Sequence, residues 1–348
     1  MATPPKRPSR RWPIALAMGI AGMPVAALVV AWAAVRSEAG TRWLLAQVPG
    51  LEASGVRGSL LGESLAVDRL HWQGTSQQPT LQIDGLRWHA PAWRVDPHAG
   101  AWVALGLQRL QATRVQWRSP AEPLAASAPS QLRLPFALGV DALQIDELQV
   151  DAQSLRSVQG RVQLGAREGS EHRVDVESLQ FARARASGIA RIAADAPMVL
   201  AIDLQASAVG GTPWQASLQA SGPLAAFDVK AQLRGDASAG AQAPRLDAQA
   251  RIEPFAAWPI GTLQATTQDL DLAALASGAP QTRLRGEAQV QSAGLDTPGR
   301  VSLTVENTLP GRWDARRIPV RQLALTLRGT PRQLDRLDIE RVDALLHD

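Results

Sequence analysis

Beyond about residue 197, apolar and polar side chains alternate with a period of two, again and again. Met198, Leu200, Ile202, Leu204 and Ala206 interleave with Val199, Ala201, Asp203, Gln205 and Ser207. The pattern returns in Trp214, Ala216, Leu218 and Ala220, in Phe227, Val229, Ala231 and Leu233, and in Leu246, Ala248, Ala250 and Ile252. It continues in Leu284, Gly286, Ala288 and Val290, in Val301, Leu303 and Val305, and in Leu323, Leu325 and Leu327. Successive side chains of a strand point to opposite faces, so each segment predicts a half-buried β-strand. Turn-forming clusters separate the segments: Gly210-Gly211-Thr212-Pro213, Ser221-Gly222-Pro223, Gly235-Asp236, Thr297-Pro298-Gly299 and Leu309-Pro310-Gly311. A glycine turn followed by apolar alternation occurs at Gly222-Pro223-Leu224 with Phe227 and Val229, and again at Gly329-Thr330-Pro331 with Leu334, Leu337 and Ile339. Such recurrence predicts an elongated array in which each unit meets mainly its neighbours.

Nearer the N-terminus the strand signals are shorter. Leu65-Ala66-Val67, Leu70-His71-Trp72, Leu81-Gln82-Ile83, Leu86-Arg87-Trp88 and Val115-Gln116-Trp117 each read as a brief strand. Residues 39–48 predict one amphipathic helix with Trp43, Leu44 and Val48 on its apolar side. Residues 119–131 are rich in Pro, Ala and Ser without periodicity and predict a surface loop. The fold class is all-β, preceded by a different kind of element.

That element is the 22-residue run Ile14 to Val35, which holds no charged side chain. At about 1.5 Å per residue it gives roughly 33 Å of helix, enough to cross a hydrocarbon core of about 30 Å. Pro24 within it is tolerated in transmembrane helices. Lys6, Arg7, Arg10 and Arg11 precede the run and no acidic residue occurs before Glu38, so the positive-inside rule places residues 1–13 in the cytoplasm and the remainder across the membrane. A cleaved signal peptide, with Ala31, Ala33 and Ala34 as small residues near a cleavage point, is the rival expectation. The run exceeds the usual apolar core of such peptides, about 7–15 residues, which favours an uncleaved anchor. The expected organisation is therefore a basic tail (1–13), a single membrane span (14–35), a membrane-proximal β region (36–118), a loop (119–131) and an exported β-repeat region (132–348).

Charge narrows the partners. The formal net charge of +4 equals the four cations ahead of the span, so the remainder is neutral. Nucleic-acid binding requires a clustered positive stripe, and no nucleic-acid partner is expected. The chain has no cysteine, hence neither disulfides nor a lipid-modified cysteine, and its five histidines show no ligand spacing, so no metal or cofactor is expected. Gly62-Glu63-Ser64-Leu65-Ala66 approximates a nucleophile elbow, but a strand rather than a helix follows Ser64, which is expected to be a turn serine. Asp269 and Asp271, two apart, are expected on the solvated face of a strand. Gly55, Gly58 and Gly62 match no phosphate-binding template. No catalytic residue is expected, and the chain is read as a non-enzyme.

The inward positions of the repeats are mostly Ala, Leu and Val. Small inward residues leave room, which suits a groove holding acyl chains; a filled core with nothing bound remains the alternative. On alternation alone, Leu200, Ile202, Leu204, Leu218, Val229, Leu233, Ile252 and Leu303 are the candidate groove residues. Trp72, Trp88, Trp93, Trp102 and Trp117 form either a membrane-proximal collar or ordinary core filling.

Several strings carry a family resemblance. The basic N-terminus and span are followed by Thr41-Arg42-Trp43-Leu44-Leu45, Val48-Pro49-Gly50, Gly58-Ser59-Leu60-Leu61-Gly62 and Leu70-His71-Trp72. Further on come Leu81-Gln82-Ile83-Asp84-Gly85-Leu86-Arg87-Trp88, Leu132-Arg133-Leu134-Pro135-Phe136, Trp258-Pro259 and Leu270-Asp271-Leu272. In this order they resemble the N-terminal portion of the TamB family, the inner-membrane subunit of the translocation and assembly module and a relative of AsmA-like proteins. The resemblance implies a periplasmic β-groove with an apolar inside. It also implies an Omp85-type outer-membrane barrel as partner, and roles in barrel and autotransporter assembly and in phospholipid transport. Family members are several times longer and contact the barrel through their far C-terminal region, so a chain stopping at Asp348 is expected to be truncated and to lack that contact.

Overall fold

The computed structural model describes residues 36–347 except 75–77, 96–102, 121–126, 237–242, 257, 277, 293, 295 and 334–336. The expected tail (1–13), the expected span (14–35) and Trp102 lie outside the described residues. Among the described residues no helix is long and apolar enough to cross a membrane.

The structure is predominantly β, in one long open sheet of 18 strands. After helix α1 (Glu38–Ala46) come β1 (Leu51–Ser54), β2 (Arg57–Gly58), β3 (Ser64–Gln73), β4 (Thr80–Val95), β5 (Val103–Arg118), β6 (Phe136–Val150), β7 (Gln153–Gly165), β8 (Glu171–Phe181) and β9 (Ala184–Ala193). They are followed by β10 (Val199–Ala208), β11 (Trp214–Pro223), β12 (Phe227–Gly235), β13 (Arg245–Ile252), β14 (Ile260–Leu270), β15 (Leu284–Gln291), β16 (Gly299–Asn307), β17 (Val320–Gly329) and β18 (Leu337–Leu346). Single helical turns α2 (Ala166–Gly169) and α3 (Leu272–Leu275) lie between strands. From β3 to β18 each strand pairs with the next in sequence, while β1 and β2 share the outer edge of β3. Fifteen spacings of about 4.8 Å make this array roughly 70 Å long.

Every ladder is antiparallel except β5–β6, which is parallel. Parallel neighbours need a crossover of a dozen or more residues, and the segment 119–135 supplies it. The crossover is pinned at both ends. Ser119 donates from its backbone N–H and its hydroxyl to the Asp151 carboxylate at 2.7 and 2.8 Å. At the far end Arg133 makes a two-pronged contact with Asp195 (2.6 and 2.7 Å), the Leu132 N–H donates to Ala194 O, and His172 Nε2 meets Leu132 O at 2.8 Å.

Leu, Ala, Gln and Arg are the commonest strand residues and outnumber the β-branched ones, so alternation and cross-strand packing rather than intrinsic propensity decide the sheet. Several expectations need correction. The brief strands expected before residue 118 are parts of the long strands β3, β4 and β5. Their alternation changes phase where Asp68 and Gly85 (φ 67°) drop out of register opposite one another, so Leu65, Val67, Leu70 and Trp72 all reach one face. Ser221-Gly222-Pro223 is not a turn but the end of β11; the chain reverses at residues 224–226, where the Ala226 N–H donates to Pro223 O. Gly235 likewise ends β12.

Helix α1 starts where Ser37 caps it by accepting from the Gly40 N–H at 3.0 Å. The side it turns to the sheet carries Gly40, Thr41 and Leu45, not the expected Trp43 and Val48, which are exposed. Thr41 is fully buried and its hydroxyl accepts from the Leu60 N–H at 3.1 Å. Leu45 packs with Val56, Leu65, Val67, Leu60, Leu86 and Trp88 in a hydrophobic cluster that closes the N-terminal end of the sheet.

Candidate lipid-binding face

Directly paired residues in a ladder lie on the same face, so the register defines rows that run across the strands. One row reads Leu65, Trp88, Leu110, Leu143, Gly160, Val176, Gly188, Leu204, Leu218, Ala231, Ala248, Ala265, Ala288, Leu303, Leu325 and Val342, one residue from every strand from β3 to β18. No polar side chain interrupts it. A second row beside it reads Leu107, Val140, Val162, Val174, Ala190, Ile202, Ala220, Val229, Ala250, Leu263, Val290, Val301, Leu327 and Ile339, from β5 to β18, and is equally unbroken. A third, through Ala206, Ala216, Leu233 and Leu246, meets Thr267 on β14.

The opposite face is polar. One of its rows is Asp203, Gln219, Lys230, Gln249, Gln264, Gln289, Ser302, Thr326 and Arg341. Ion pairs bridge strands there, Arg251 with Asp228 (3.1 Å) and Arg234 with Asp247 (2.8 Å), and Arg245 reaches the same Asp247 along β13 (2.6 Å). Hydrogen bonds from those two guanidinium groups hold the Asp247 carboxyl below the usual carboxylate range. At the crossover, the hydrogen bond from Arg133 does the same for Asp195, and the Ser119 backbone N–H does so for Asp151.

All eight candidate groove residues lie on the apolar face. Leu204, Leu218 and Leu303 belong to the first row, Ile202 and Val229 to the second, and Leu233 to the third; Leu200 and Ile252 flank them toward the strand ends. Leu233 is buried and the other seven are half-buried. Burial along the face is graded. Leu65 and Val67 lie beneath α1, and Leu107 and Val140 are buried at the parallel junction. Most central positions are half-buried, and Ile339, Val342 and Leu346 on β18 are more than half exposed. Only eleven hydrophobic side chains of the described residues are buried, as expected when one layer, rather than two packed layers, carries the apolar surface.

Relief on the face comes from side-chain size. Ala231, Ala248, Ala265 and Ala288 form a floor of small residues between Leu218 and Leu303. Val229, Leu263 and Val290 rise on one side, and Leu233 and Leu246 on the other. The alternation contained this floor, but which alanines fall in line required the register. The first-half contributors Leu110, Leu143, Val176, Val140 and Val174 were missed because phase changes in β5, β6, β7 and β8 hide their alternation.

The remaining candidate chemistry is dispersed. Ser64 opens β3 and pairs with His89, so no elbow forms. Asp269 and Asp271 are not a solvated pair on a strand. Asp269 has φ 49° in the irregular end of β14, and its buried carboxylate pairs with Arg285 at 3.1 Å. Asp271 lies beyond the strand and caps α3, accepting from the Ala273 and Thr282 N–H groups at 3.0 Å. Trp72 and Trp88 are half-buried and pair into the apolar face as filling, whereas Trp93 and Trp117 are exposed. Among the described residues no cluster of three or more His, Cys, Asp or Glu side chains has a metal-holding arrangement. No family model, curated protein or solved structure matches the chain.

Proposed function

We propose that this chain is a non-enzymatic, inner-membrane-anchored periplasmic component of an outer-membrane biogenesis system, similar to the TamB family. In this proposal its apolar sheet face carries phospholipid acyl chains and assists assembly of outer-membrane proteins and autotransporters. The observation that carries the proposal is the pair of unbroken apolar rows crossing sixteen and fourteen consecutive strands. A polar residue in either row would be a desolvation barrier to a sliding hydrocarbon, and none occurs. Apolar surface leaving water gains about 25 cal/mol per Å², so a continuous greasy path holds a chain without a local trap. The four-alanine floor is about 14 Å long at the strand spacing. That is close to one acyl chain, which spans half of a hydrocarbon core of about 30 Å. The anchor and the periplasmic location rest on the sequence pattern and the resemblance; the Omp85-type partner is implied by the resemblance for the family and is not proposed for these residues alone.

The test places a photo-crosslinking amino acid at Leu218 or at Gln219, whose side chains lie on opposite faces of β11, and analyses adducts from intact cells. Phospholipid adducts at Leu218 and not at Gln219 are expected. Adducts at neither position would refute lipid carriage and favour a scaffold whose apolar face is covered by protein.

A further inference from the structure

The turn between β16 and β17 holds Trp313, the most exposed large hydrophobic side chain of the described residues at 70%. Scattered exposed hydrophobics are normal, but this one is presented by a rigid frame. Residues 313–315 form a 3-10 turn closed by Ala315 N–H to Arg312 O (3.1 Å), Arg316 N–H to Trp313 O (3.0 Å) and Arg317 N–H to Arg312 O (3.2 Å). The turn is tied to its neighbours by Gly311 N–H to Ile318 O and by Gln281 N–H to Arg316 O. Beneath it the buried Asn307 accepts from the Arg283 and Leu309 N–H groups at 3.2 Å and donates to Ile318 O. The backbone entropy of presenting the indole is therefore lost on folding rather than on binding.

Charge indicates what the indole meets. Arg312 and Arg316 flank it in full exposure, Arg317 lies half-buried over Gly311, and the single acid is Asp314, paired with Arg312 at 3.2 Å on the open surface. Indole favours the membrane–water interface, and cations favour an anionic headgroup layer. We infer that the turn of residues 312–316 is an anchor for the surface of an anionic lipid bilayer. The inference concerns the turn at the strand ends between β16 and β17 and stands apart from lipid carriage on the apolar face.

The chain contains no cysteine, so Ala315→Cys gives a unique attachment point for an environment-sensitive fluorophore. The labelled full chain is held in phosphatidylcholine nanodiscs and titrated with vesicles of phosphatidylglycerol or of phosphatidylcholine. A several-fold emission rise with phosphatidylglycerol alone is expected. The R312Q/R316Q variant should need about thirty-fold more lipid for half-saturation, and W313A should lose most of the rise. A label at Thr212→Cys, on the exposed turn between β10 and β11, should not respond. No phosphatidylglycerol-dependent rise at position 315, an equal rise at position 212, or a rise undiminished in both variants would overturn the inference.

Discussion

Two carboxylates on neighbouring strands should stop hydrocarbon from moving along the apolar face. Leu218 on β11 lies in the first unbroken row and Val229 on β12 lies in the second. Within a strand, residues two apart are separated by about 6.7 Å, so the two rows are parallel tracks within reach of one lipid. Leu218→Asp alone obstructs one track and leaves the Ile202–Ala220–Val229 track open beside it. The double substitution Leu218→Asp with Val229→Asp obstructs both, and the third row already meets Thr267 further along. A chain passing an ionised carboxylate must strip its water, at several kcal/mol even after relaxation. Taking about 4 kcal/mol, passage slows roughly a thousand-fold, because each 1.36 kcal/mol is a factor of ten. Both sites are half-buried, so each substitution also removes about 1 kcal/mol of apolar burial; circular dichroism and thermal unfolding must show that the variant folds. The assay is outer-membrane integrity, read as sensitivity to large antibiotics and detergent. The double variant should match the deletion, the single variant should be intermediate, and Gln219→Asp on the polar face should be silent. A folded double variant with normal integrity would refute lipid transit along these rows.

Two further predictions concern the frame of the face. Gly188 lies in the first row at φ 154°, where an added Cβ would sit 2.1 Å from Asp203 O and 2.8 Å from Leu204 Cα; Gly188→Val should cost about 3 kcal/mol and open the β9–β10 ladder. In a quasi-one-dimensional array that loss should stay local, so hydrogen exchange should accelerate for β9 and β10 amides and not for β15 to β17; unchanged protection at β9 and β10 would contradict the steric account. The crossover should loosen in acid. The Asp195 and Asp151 carboxyls titrate below their usual range in the folded chain, so their contribution is present above about pH 4 and is lost as pH falls through the depressed folded values. Exchange at the Leu132 and Ala194 amides should rise below that pH in the wild type, and already at pH 7 in an Asp195→Asn variant.

The sequence made the second half of the sheet legible because β10 to β17 alternate through Leu200, Leu218, Val229 and Leu303, and each pairs antiparallel with the next. A period of two fixes which residues share a face without any knowledge of the partner strand. The first half was less legible for a physical reason. Each dropped residue in β3 to β8 shifts the phase, so Leu81 and Ile83 share a face with Leu86 and Trp88, although their spacing in the chain puts the two pairs out of step. Helix α1 was legible from its amphipathic pattern, but its docking side was not. An amphipathic pattern records which residues are apolar, and Trp43 remained outside while the small Gly40 and Thr41 allowed close approach.

Alternation by itself determined that this chain is a repetitive β protein with one greasy face, and identified eight members of that face. Only the tertiary structure decided the rows. Whether Ala231, Ala248, Ala265 and Ala288 form one floor depends on hydrogen-bond register between strands, which turns and bulges set and which no single strand encodes. The same holds for the parallel β5–β6 junction. Its direction depends on where the crossover lands, and that is fixed by Arg133 reaching Asp195 and Leu132 reaching His172, contacts between residues far apart in the chain.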